Sequence, residues 1–208
     1  MKNNTAVDVF DDWALSGKDE GMEKGHNSSV DRMIELAKEI NFSKDSIRKV
    51  LDLGCGNGWM ANKLSEVLSN INYLGVDGAM NMIDKAKNKN PNNQYLCVDI
   101  NNWIPSRKFD LVMSMEVLYY LDNPKDFLRK FYLEGVENEG ALIIGMDHYK
   151  ENPSSLNWPE QLDVNMHTFK IEEWVDMFYK AGFSDVYYEQ YNAGDNWEGT
   201  LILKAIKN

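Results

Sequence analysis

An acidic residue followed by a glycine-rich turn is the part of this sequence with the most specific chemistry. Asp52 lies in the apolar run 50–53, and Gly54, Gly56 and Gly58 follow it in the spacing G-x-G-x-G. A strand, a glycine turn and a helix start, in this order, are typical of α/β folds that bring bare backbone against a nucleoside-containing ligand. A carboxylate at the strand end disfavours a pyrophosphate there and favours a ligand with an ammonium group.

A second acid, Asp77, ends the apolar run 73–76. It follows Gly56 at roughly the 20-residue interval at which an acid accepts hydrogen bonds from ribose hydroxyls. The same carboxylate is also a suitable N-cap for the helical pattern 79–88. Both roles stay open, but only the ribose role explains the interval.

These two segments resemble the motifs of class I methyltransferases that use S-adenosylmethionine, and the resemblance continues through residues 95–100 and 109–121. It implies an α/β, Rossmann-like, doubly wound sheet of seven mostly parallel strands, with a C-terminal antiparallel hairpin and helices on both faces. It also implies S-adenosylmethionine as cofactor and S-adenosylhomocysteine as product.

The resemblance assigns a part of the cofactor to each strand end. Asp52 would hold the amino group, Asp77 the ribose, and Asp99 the adenine amino group, with Ile100 packed on the ring. An ordinary turn-starting role for Asp99 is the alternative. The implied cofactor-binding residues are Asp52, Gly54, Cys55, Gly56, Gly58, Asp77, Gly78, Met80, Asp99, Ile100 and Met115.

The catalytic candidates are Glu116, Tyr120 and His148. Many members of the family have Glu-Val-Leu-x-His-Leu where this chain has Tyr120 at the histidine position, so a histidine base is not implied there. His148 follows the fifth predicted strand, and an ordinary pKa of ~6.5 suits proton removal near neutrality. A structural Glu116, an idle His148 and a mechanism without a base stay open, since positioning supplies much of the rate of such a displacement.

Two segments outside the ones that resemble the methyltransferase motifs are predicted to bind the acceptor. Residues 1–42 are predicted to be an N-terminal lid or helical cap on a domain of residues 43–208, and residues 147–170 an insertion that two prolines keep from being one helix. Aromatic faces attract cations, which gives a slight preference for an amine over other small-molecule acceptors; packing roles are the alternative. The substrate-binding candidates are Trp13, His26, Tyr119, Tyr149 and Trp158.

The spacing of apolar residues predicts alternating strands and helices. Strands are expected at 50–53, 73–76, 95–99, 111–113 and 141–146, with the hairpin at 186–190 and 200–206. Helices are expected at 30–40, 60–68, 79–88, after Asn123 and at 171–181, the last ended by Gly182.

Composition excludes several function classes. The 208 residues are 43% hydrophobic, which suits one domain with a buried core, and no apolar run approaches the ~20 residues that span a membrane. With 22 basic and 33 acidic residues and a net charge of −11, nucleic acid is a poor partner. Neither cysteine has a second Cys or His at ligand spacing, so we expect no disulfide framework and no metal site. The N-terminal residues lack a signal peptide pattern, so a cytoplasmic location is expected; the oligomeric state stays open.

Two other functions are compatible with parts of this pattern. A catalytically silent protein that binds S-adenosylmethionine and regulates a partner would share the cofactor motifs, and turnover distinguishes it from an enzyme. A dinucleotide-dependent oxidoreductase would share the fold, but the G-x-G-x-G spacing and Asp52 argue against it.

Overall fold

The computed structural model of the chain describes residues 4–40 and 48–208. Seven strands in these residues form one sheet in the order β3-β2-β1-β4-β5-β7-β6. Strands β1 to β5 are parallel to one another, and β7 is antiparallel to both β5 and β6. This arrangement confirms the predicted fold class, including its C-terminal hairpin. The strands are β1 Arg48–Leu53, β2 Ile71–Asp77, β3 Gln94–Cys97, β4 Phe109–Met115, β5 Val136–Met146, β6 Ser184–Tyr191 and β7 Thr200–Ile206.

Helices cover both faces of the sheet, and short 3-10 turns follow β4 and β5. None of the helices in the described ranges is long and apolar enough to cross a membrane. The helices are α1 Ala6–Ser16, α2 Asp19–Lys38, α3 Trp59–Val67, α4 Met80–Lys89, α5 Pro124–Glu134, α6 Trp158–Gln161 and α7 Ile171–Ala181, with 3-10 turns at Leu118–Tyr120 and Pro153–Ser155.

Two apolar clusters lie on opposite faces of the sheet. Alternate residues of β1 separate them: Leu51 and Leu53 join the cluster that contains residues of α5 and α7, and Val50 joins the one that contains residues of α2, α3 and α4. Side chains of successive strand residues point to opposite faces, so a strand buried on both faces is apolar throughout. The layers fix the carboxyl ends of β1, β2, β4 and β5 along one edge.

Helix α2 starts earlier than its apolar spacing predicts. The pattern predicts a helix from Val30, whereas the helix begins at Asp19 and includes Gly21 and Gly25. Each interior glycine costs ~1 kcal/mol relative to alanine, and burial of Val30 and Met33 against the sheet offsets this cost. The extension brings the first turns of α2 over the sheet edge.

Two other sequence-based boundaries differ from the structure. Strand β3 ends at Cys97 rather than at Asp99, because Asp99 folds back to accept the Asn101 N–H at 3.1 Å and the Asn102 side-chain amide at 2.7 Å. The predicted border between residues 42 and 43 lies outside the described residues, so it stays a prediction.

We expect Asn123→Ala to lower the free energy of unfolding by ~1 kcal/mol, because the Asn123 side chain accepts the Asp126 N–H at 3.1 Å and caps α5. Urea denaturation measures the change. Asn157→Ala is the matched control, since Asn157 occupies the N-cap position of α6 without a side-chain cap hydrogen bond. Equal losses in the two variants would contradict the capping role.

Candidate functional site

The glycine turn after β1 has a backbone that only glycine adopts easily. Gly54, Gly56 and Gly58 have φ values of +75°, +50° and +75°, in the left-handed region. The Gly54 N–H and the next N–H both donate to the Val76 carbonyl, at 2.8 and 2.9 Å, which ties the turn to β2. A Cβ at Gly54 would lie 2.2 Å from Val117 Cγ2. The turn therefore holds bare backbone between β1, β2 and the segment after β4.

Asp52 points a buried carboxylate at this turn. Its Oδ2 accepts the Tyr73 hydroxyl at 2.7 Å, whereas its Oδ1 is buried and has no partner among the described residues. Burial raises the pKa of Asp52 to about 7; the Tyr73 hydrogen bond opposes this shift and the Asp77 charge adds to it. A buried acceptor without a donor fits the amino group predicted for this position.

Asp77 braces the glycine turn. Its Oδ2 accepts the Gly56 N–H at 2.9 Å, and its Oδ1 accepts the Ala79 N–H at 2.8 Å. Burial raises the pKa of Asp77, while these backbone hydrogen bonds oppose the shift. It does not cap α4, whose N-cap is Ala79. Each carboxylate oxygen retains a lone pair, so the ribose role stays a prediction.

Helix α1 lies over the predicted adenosine region. A Cβ added at Gly78 would be 2.6 Å from Val7 Cγ2, and the Asp11 carboxylate accepts the Asn81 N–H at 2.7 Å. Met80, beside it, is exposed. Asp99 is exposed as well, and Ile100 packs against one of the apolar clusters.

A cavity of about 70 Å³ lies between the glycine turn, the end of β4 and α2. Five of the predicted cofactor residues line it: Asp52, Gly54, Cys55, Gly56 and Met115. Helix α2 adds Asp19, Met22 and His26, and the remaining lining residues are Asn57, Trp59, Met60, Met82 and Glu116. No lysine or arginine is among these lining residues.

Three titratable side chains from separate elements meet beside this cavity. Glu116 directly follows β4, Asp147 directly follows β5, and His26 comes from α2; one ligand atom of each lies within 4.8 Å of the others. His26 Nε2 is 3.1 Å from Asp147 Oδ2, and His26 Nδ1 is 2.9 Å from the Met22 carbonyl. We call His26, Glu116 and Asp147 the acidic triad.

Glu116 is held tightly in an unusual backbone conformation. Its φ is +63°, which is rare outside glycine and is concentrated at functional sites. Its carboxylate accepts the Tyr119 hydroxyl and the Asp147 N–H, each at 2.5 Å. Burial, with the Asp147 charge, raises the pKa of Glu116 to about 8, although His26, Tyr119 and the Asp147 N–H oppose this.

The carboxylate charges also raise the pKa of His26, because they stabilise its protonated form. Burial lowers its pKa, but the Asp147 hydrogen bond and the charges of Glu116 and Asp147 outweigh burial, and the pKa rises to about 9. Since Met22 offers a carbonyl, Nδ1 is the donor there, and Nε2 faces the carboxylates.

The structure does not support His148 as the base. The side chain is fully buried, its Nδ1 lies 3.0 Å from the Ser155 carbonyl, and its Nε2 lies 2.8 Å from the Thr168 hydroxyl. Burial lowers its pKa, opposed by the Ser155 hydrogen bond. Both nitrogens are engaged and neither faces the cavity, so the contacts are those of a structural histidine.

The remaining candidates include residues with packing contacts and one residue that lines the cavity. Tyr119 is buried and orients Glu116, and Tyr120 packs edge-on against Phe10 of α1. Tyr149 is buried and donates to the Gly199 carbonyl at 2.9 Å. Trp158 stacks on His148 and Trp197, and Trp13 packs against Phe10. Among the five predicted acceptor residues, His26 lines the cavity.

Asp147 and Trp59 are site residues that the sequence analysis did not select. Asp147 directly follows β5, so the strand-end rule applied to Asp52 and Asp77 also indicates it. Trp59 begins α3 directly after the glycine turn. It lines the cavity because the turn reverses the chain there.

Sequence comparison finds similarity to methyltransferases. Residues 51–144 match a family model described as a methyltransferase domain. Trans-aconitate 2-methyltransferase of Rhizobium rhizogenes is 28% identical over 134 residues, which are 64% of this chain and 49% of that protein. Residues 51–144 of this chain are therefore similar to the methyltransferase domain, in agreement with the predicted class I methyltransferase family. The chain spans about half the length of that curated relative.

Solved structures share the fold of this methyltransferase domain. The methyltransferase bound to the Haloferax volcanii Trm112 activator has a TM-score of 0.81 at 23% identity, covering 95% of this chain and 96% of that one. N-methyltransferase NodS of Bradyrhizobium japonicum, in complex with S-adenosylhomocysteine, has a TM-score of 0.64 at 16% identity, covering 89% and 87%. S-adenosylmethionine is the cofactor of this domain class, and the unpaired Asp52 oxygen beside the glycine turn fits its amino group.

We expect S-adenosylhomocysteine to bind more weakly as the pH falls below about 7, by up to ~tenfold per pH unit. The ligand ammonium needs ionised Asp52, whose raised pKa makes it protonate in this range. Isothermal titration calorimetry from pH 5.5 to 8.5 measures the slope.

Asp52→Asn is the control for that pH dependence, because other groups at the cavity also titrate. We expect the variant to bind more weakly at pH 8 and to lose the part of the slope that Asp52 causes. Identical slopes in the wild type and the variant would remove Asp52 from ammonium binding.

We expect Asp77→Ala to weaken S-adenosylhomocysteine binding by tenfold or more, since hydrogen bonds to a charged group contribute ~1.5–3 kcal/mol. The loss of affinity combines the lost hydrogen bond from the Gly56 N–H with the lost ribose contact that is predicted for Asp77. Asp84→Ala, an exposed acid on α4, is the control and should bind normally. An unchanged affinity in Asp77→Ala would exclude both contributions.

Proposed function

We propose that this domain transfers the methyl group of S-adenosylmethionine to a small-molecule nucleophile and releases S-adenosylhomocysteine. The observation that carries the proposal is the unpaired, buried Oδ1 of Asp52 beside a left-handed glycine turn. An ammonium group satisfies this oxygen, whereas the pyrophosphate of a nicotinamide cofactor would repel it.

The residues around the cavity divide the work of the reaction. S-adenosylmethionine supplies a methyl group already activated on a sulfonium. Asp52 and the glycine turn would hold the amino acid portion of the cofactor, and Met115 and Glu116 at the end of β4 line the same cavity. Met22 and Trp59 exclude water from the cavity wall. Positioning and desolvation of the nucleophile then supply much of the rate.

We propose that α1 and α2 form a lid that opens for the cofactor. The cavity of about 70 Å³ is well below the ~300 Å³ of pockets that hold ligands of this size. Helix α1 covers Gly78, and hydrogen bonds between Asp11 and Asn81 hold it in place. Displacing α1 and the start of α2 exposes Asp77 and Gly78 together.

The choice among nitrogen, oxygen and sulfur nucleophiles stays open in this proposal. The slight preference for an amine rests on aromatic residues, and four of the five acceptor candidates pack away from the cavity. The net charge of −11 and the absence of Lys or Arg among the lining residues disfavour nucleic acid as the acceptor.

Transfer of labelled methyl from S-adenosylmethionine into a fractionated cell extract tests the function. We expect label in the small-molecule fraction with the wild type and little with Asp52→Asn. Label in RNA or protein would overturn the acceptor class. Binding of the cofactor without label in any fraction would favour a silent, regulatory binder.

His148→Ala tests whether His148 is structural. We expect this variant to lower the free energy of unfolding by ~2–4 kcal/mol, because it empties a buried site and leaves the Ser155 and Thr168 groups unpaired. Urea denaturation measures the loss, and turnover per folded molecule should change little. A normal stability combined with lost turnover would restore His148 as the base.

A further inference from the structure

The acidic triad brings two buried carboxylates and one imidazole together beside the cavity. Glu116 is 7% exposed and Asp147 is 5% exposed. If both carboxylates are ionised, the only cation within the triad is His26, which leaves one negative charge. Buried charges in proteins are paired with an opposite charge or coordinate metal ions.

An unsatisfied acceptor lies within this triad. Asp147 Oδ1 is buried and has no hydrogen-bond partner among the described residues. Asp52 Oδ1, on the lining of the same cavity, is in the same situation. The cofactor amino group satisfies Asp52, but it leaves Asp147 without a donor. Asp147 Oδ1 therefore lacks a hydrogen-bond donor or a cation.

The triad is oriented by its surroundings as metal ligands are. A metal-binding histidine usually donates its other ring N–H to a carboxylate or backbone carbonyl, which fixes the coordinating nitrogen. His26 Nδ1 donates to the Met22 carbonyl, which turns Nε2 toward the two carboxylates. The Tyr119 hydroxyl and the Asp147 N–H hold the Glu116 carboxylate in the same way.

The distance between His26 Nε2 and Asp147 Oδ2 matches that of adjacent ligands of one ion. Ligands at right angles around an ion at ~2.1 Å lie ~3 Å apart, and ligands opposite each other ~4.2 Å apart. His26 Nε2 and Asp147 Oδ2 are 3.1 Å apart, and all three ligand atoms lie within 4.8 Å of one another. The three ligands come from α2, β4 and β5, so the folded domain creates the site.

We propose that His26, Glu116 and Asp147 bind one divalent metal ion, and that this ion holds an oxygen atom of the methyl acceptor. Binding replaces the proton on His26 Nε2, which leaves to solvent. One imidazole and two carboxylates suit Mn²⁺, Fe²⁺ or Zn²⁺, and three protein ligands leave positions for water or substrate. This proposal deepens the proposed function and rests on it.

The consequence concerns the class of acceptor. Without lysine or arginine among the residues that line it, the cavity offers an anionic oxygen little direct attraction. A bound divalent ion would neutralise the two carboxylates and hold a hydroxyl or carboxylate oxygen near the methyl group. The acceptor is then an oxygen-bearing small molecule, such as a hydroxy or carboxylic acid.

Titration of the metal-free protein with Mn²⁺ tests the site without relying on catalysis. Electron paramagnetic resonance measures free Mn²⁺ by its signal. We expect one saturable site per chain, with affinity lowered by ~100-fold in Asp147→Asn and in His26→Gln, the upper end of the range for substitutions around a metal. Asp52 is an acid on the same cavity but outside the triad, so the Asp52→Asn variant should keep most of its Mn²⁺ affinity.

Parallel measurements separate failure of the metal site from failure of the proposed function. Circular dichroism establishes that each variant is folded, and S-adenosylhomocysteine binding checks the cofactor site in the wild type and in the two triad variants. Absence of a saturable Mn²⁺ site in the wild type, or equal Mn²⁺ affinity in Asp147→Asn, would overturn the metal site. If the protein still binds S-adenosylhomocysteine, the proposed methyltransferase function stands despite that result. The metal site would also be overturned if the wild type bound an amine but no Mn²⁺ and Asp147→Asn abolished the amine binding. An ammonium group would then be the occupant of the site.

Discussion

Negative charge buried along one edge of a parallel sheet is the constraint on which the rest of the site depends. Four adjacent strands, β2, β1, β4 and β5, each carry an acid at or next to their carboxyl ends: Asp77, Asp52, Glu116 and Asp147. Carboxylates removed from water are costly unless donors or cations face them. Backbone N–H groups satisfy both oxygens of Asp77, and Glu116 accepts one backbone N–H and the Tyr119 hydroxyl. Asp52 and Asp147 depend on side chains of other elements or on ligands.

The glycine turn, the backbone at Glu116 and helix α2 position the groups that face these acids. The left-handed glycine turn brings N–H groups to Asp77 and leaves Asp52 Oδ1 open to the cavity. The strained backbone at Glu116 turns its side chain toward Asp147 and Tyr119. Helix α2 then places His26 against the carboxylates from above. Strain of this kind persists only where surrounding contacts hold it, which is typical of functional sites.

Helix α2 contacts both the predicted cofactor region and the acidic triad. Asp19 near the start of α2 binds the Asn57 side chain of the glycine turn at 2.8 Å and Lys85 of α4 at 2.7 Å. His26, two turns later on the same helix, reaches Asp147. Movement of α2 would therefore change cofactor access and the acidic triad together, because one rigid helix carries both contacts.

The sequence by itself determined the order of most elements and the glycine turn, because apolar periodicity and glycine spacing are local properties of the chain. Its resemblance to class I methyltransferases implied the fold class. It also identified Asp52 and Glu116, since each lies at a predicted strand end. The tertiary structure decided which acceptor candidates reach the cavity. His148 and Tyr149 come directly after Asp147 in the chain, yet their side chains pack into the interior, and Asp147 is the one that contacts His26. That pairing joins residues 121 positions apart, and no local pattern specifies which side chains two distant segments bring together.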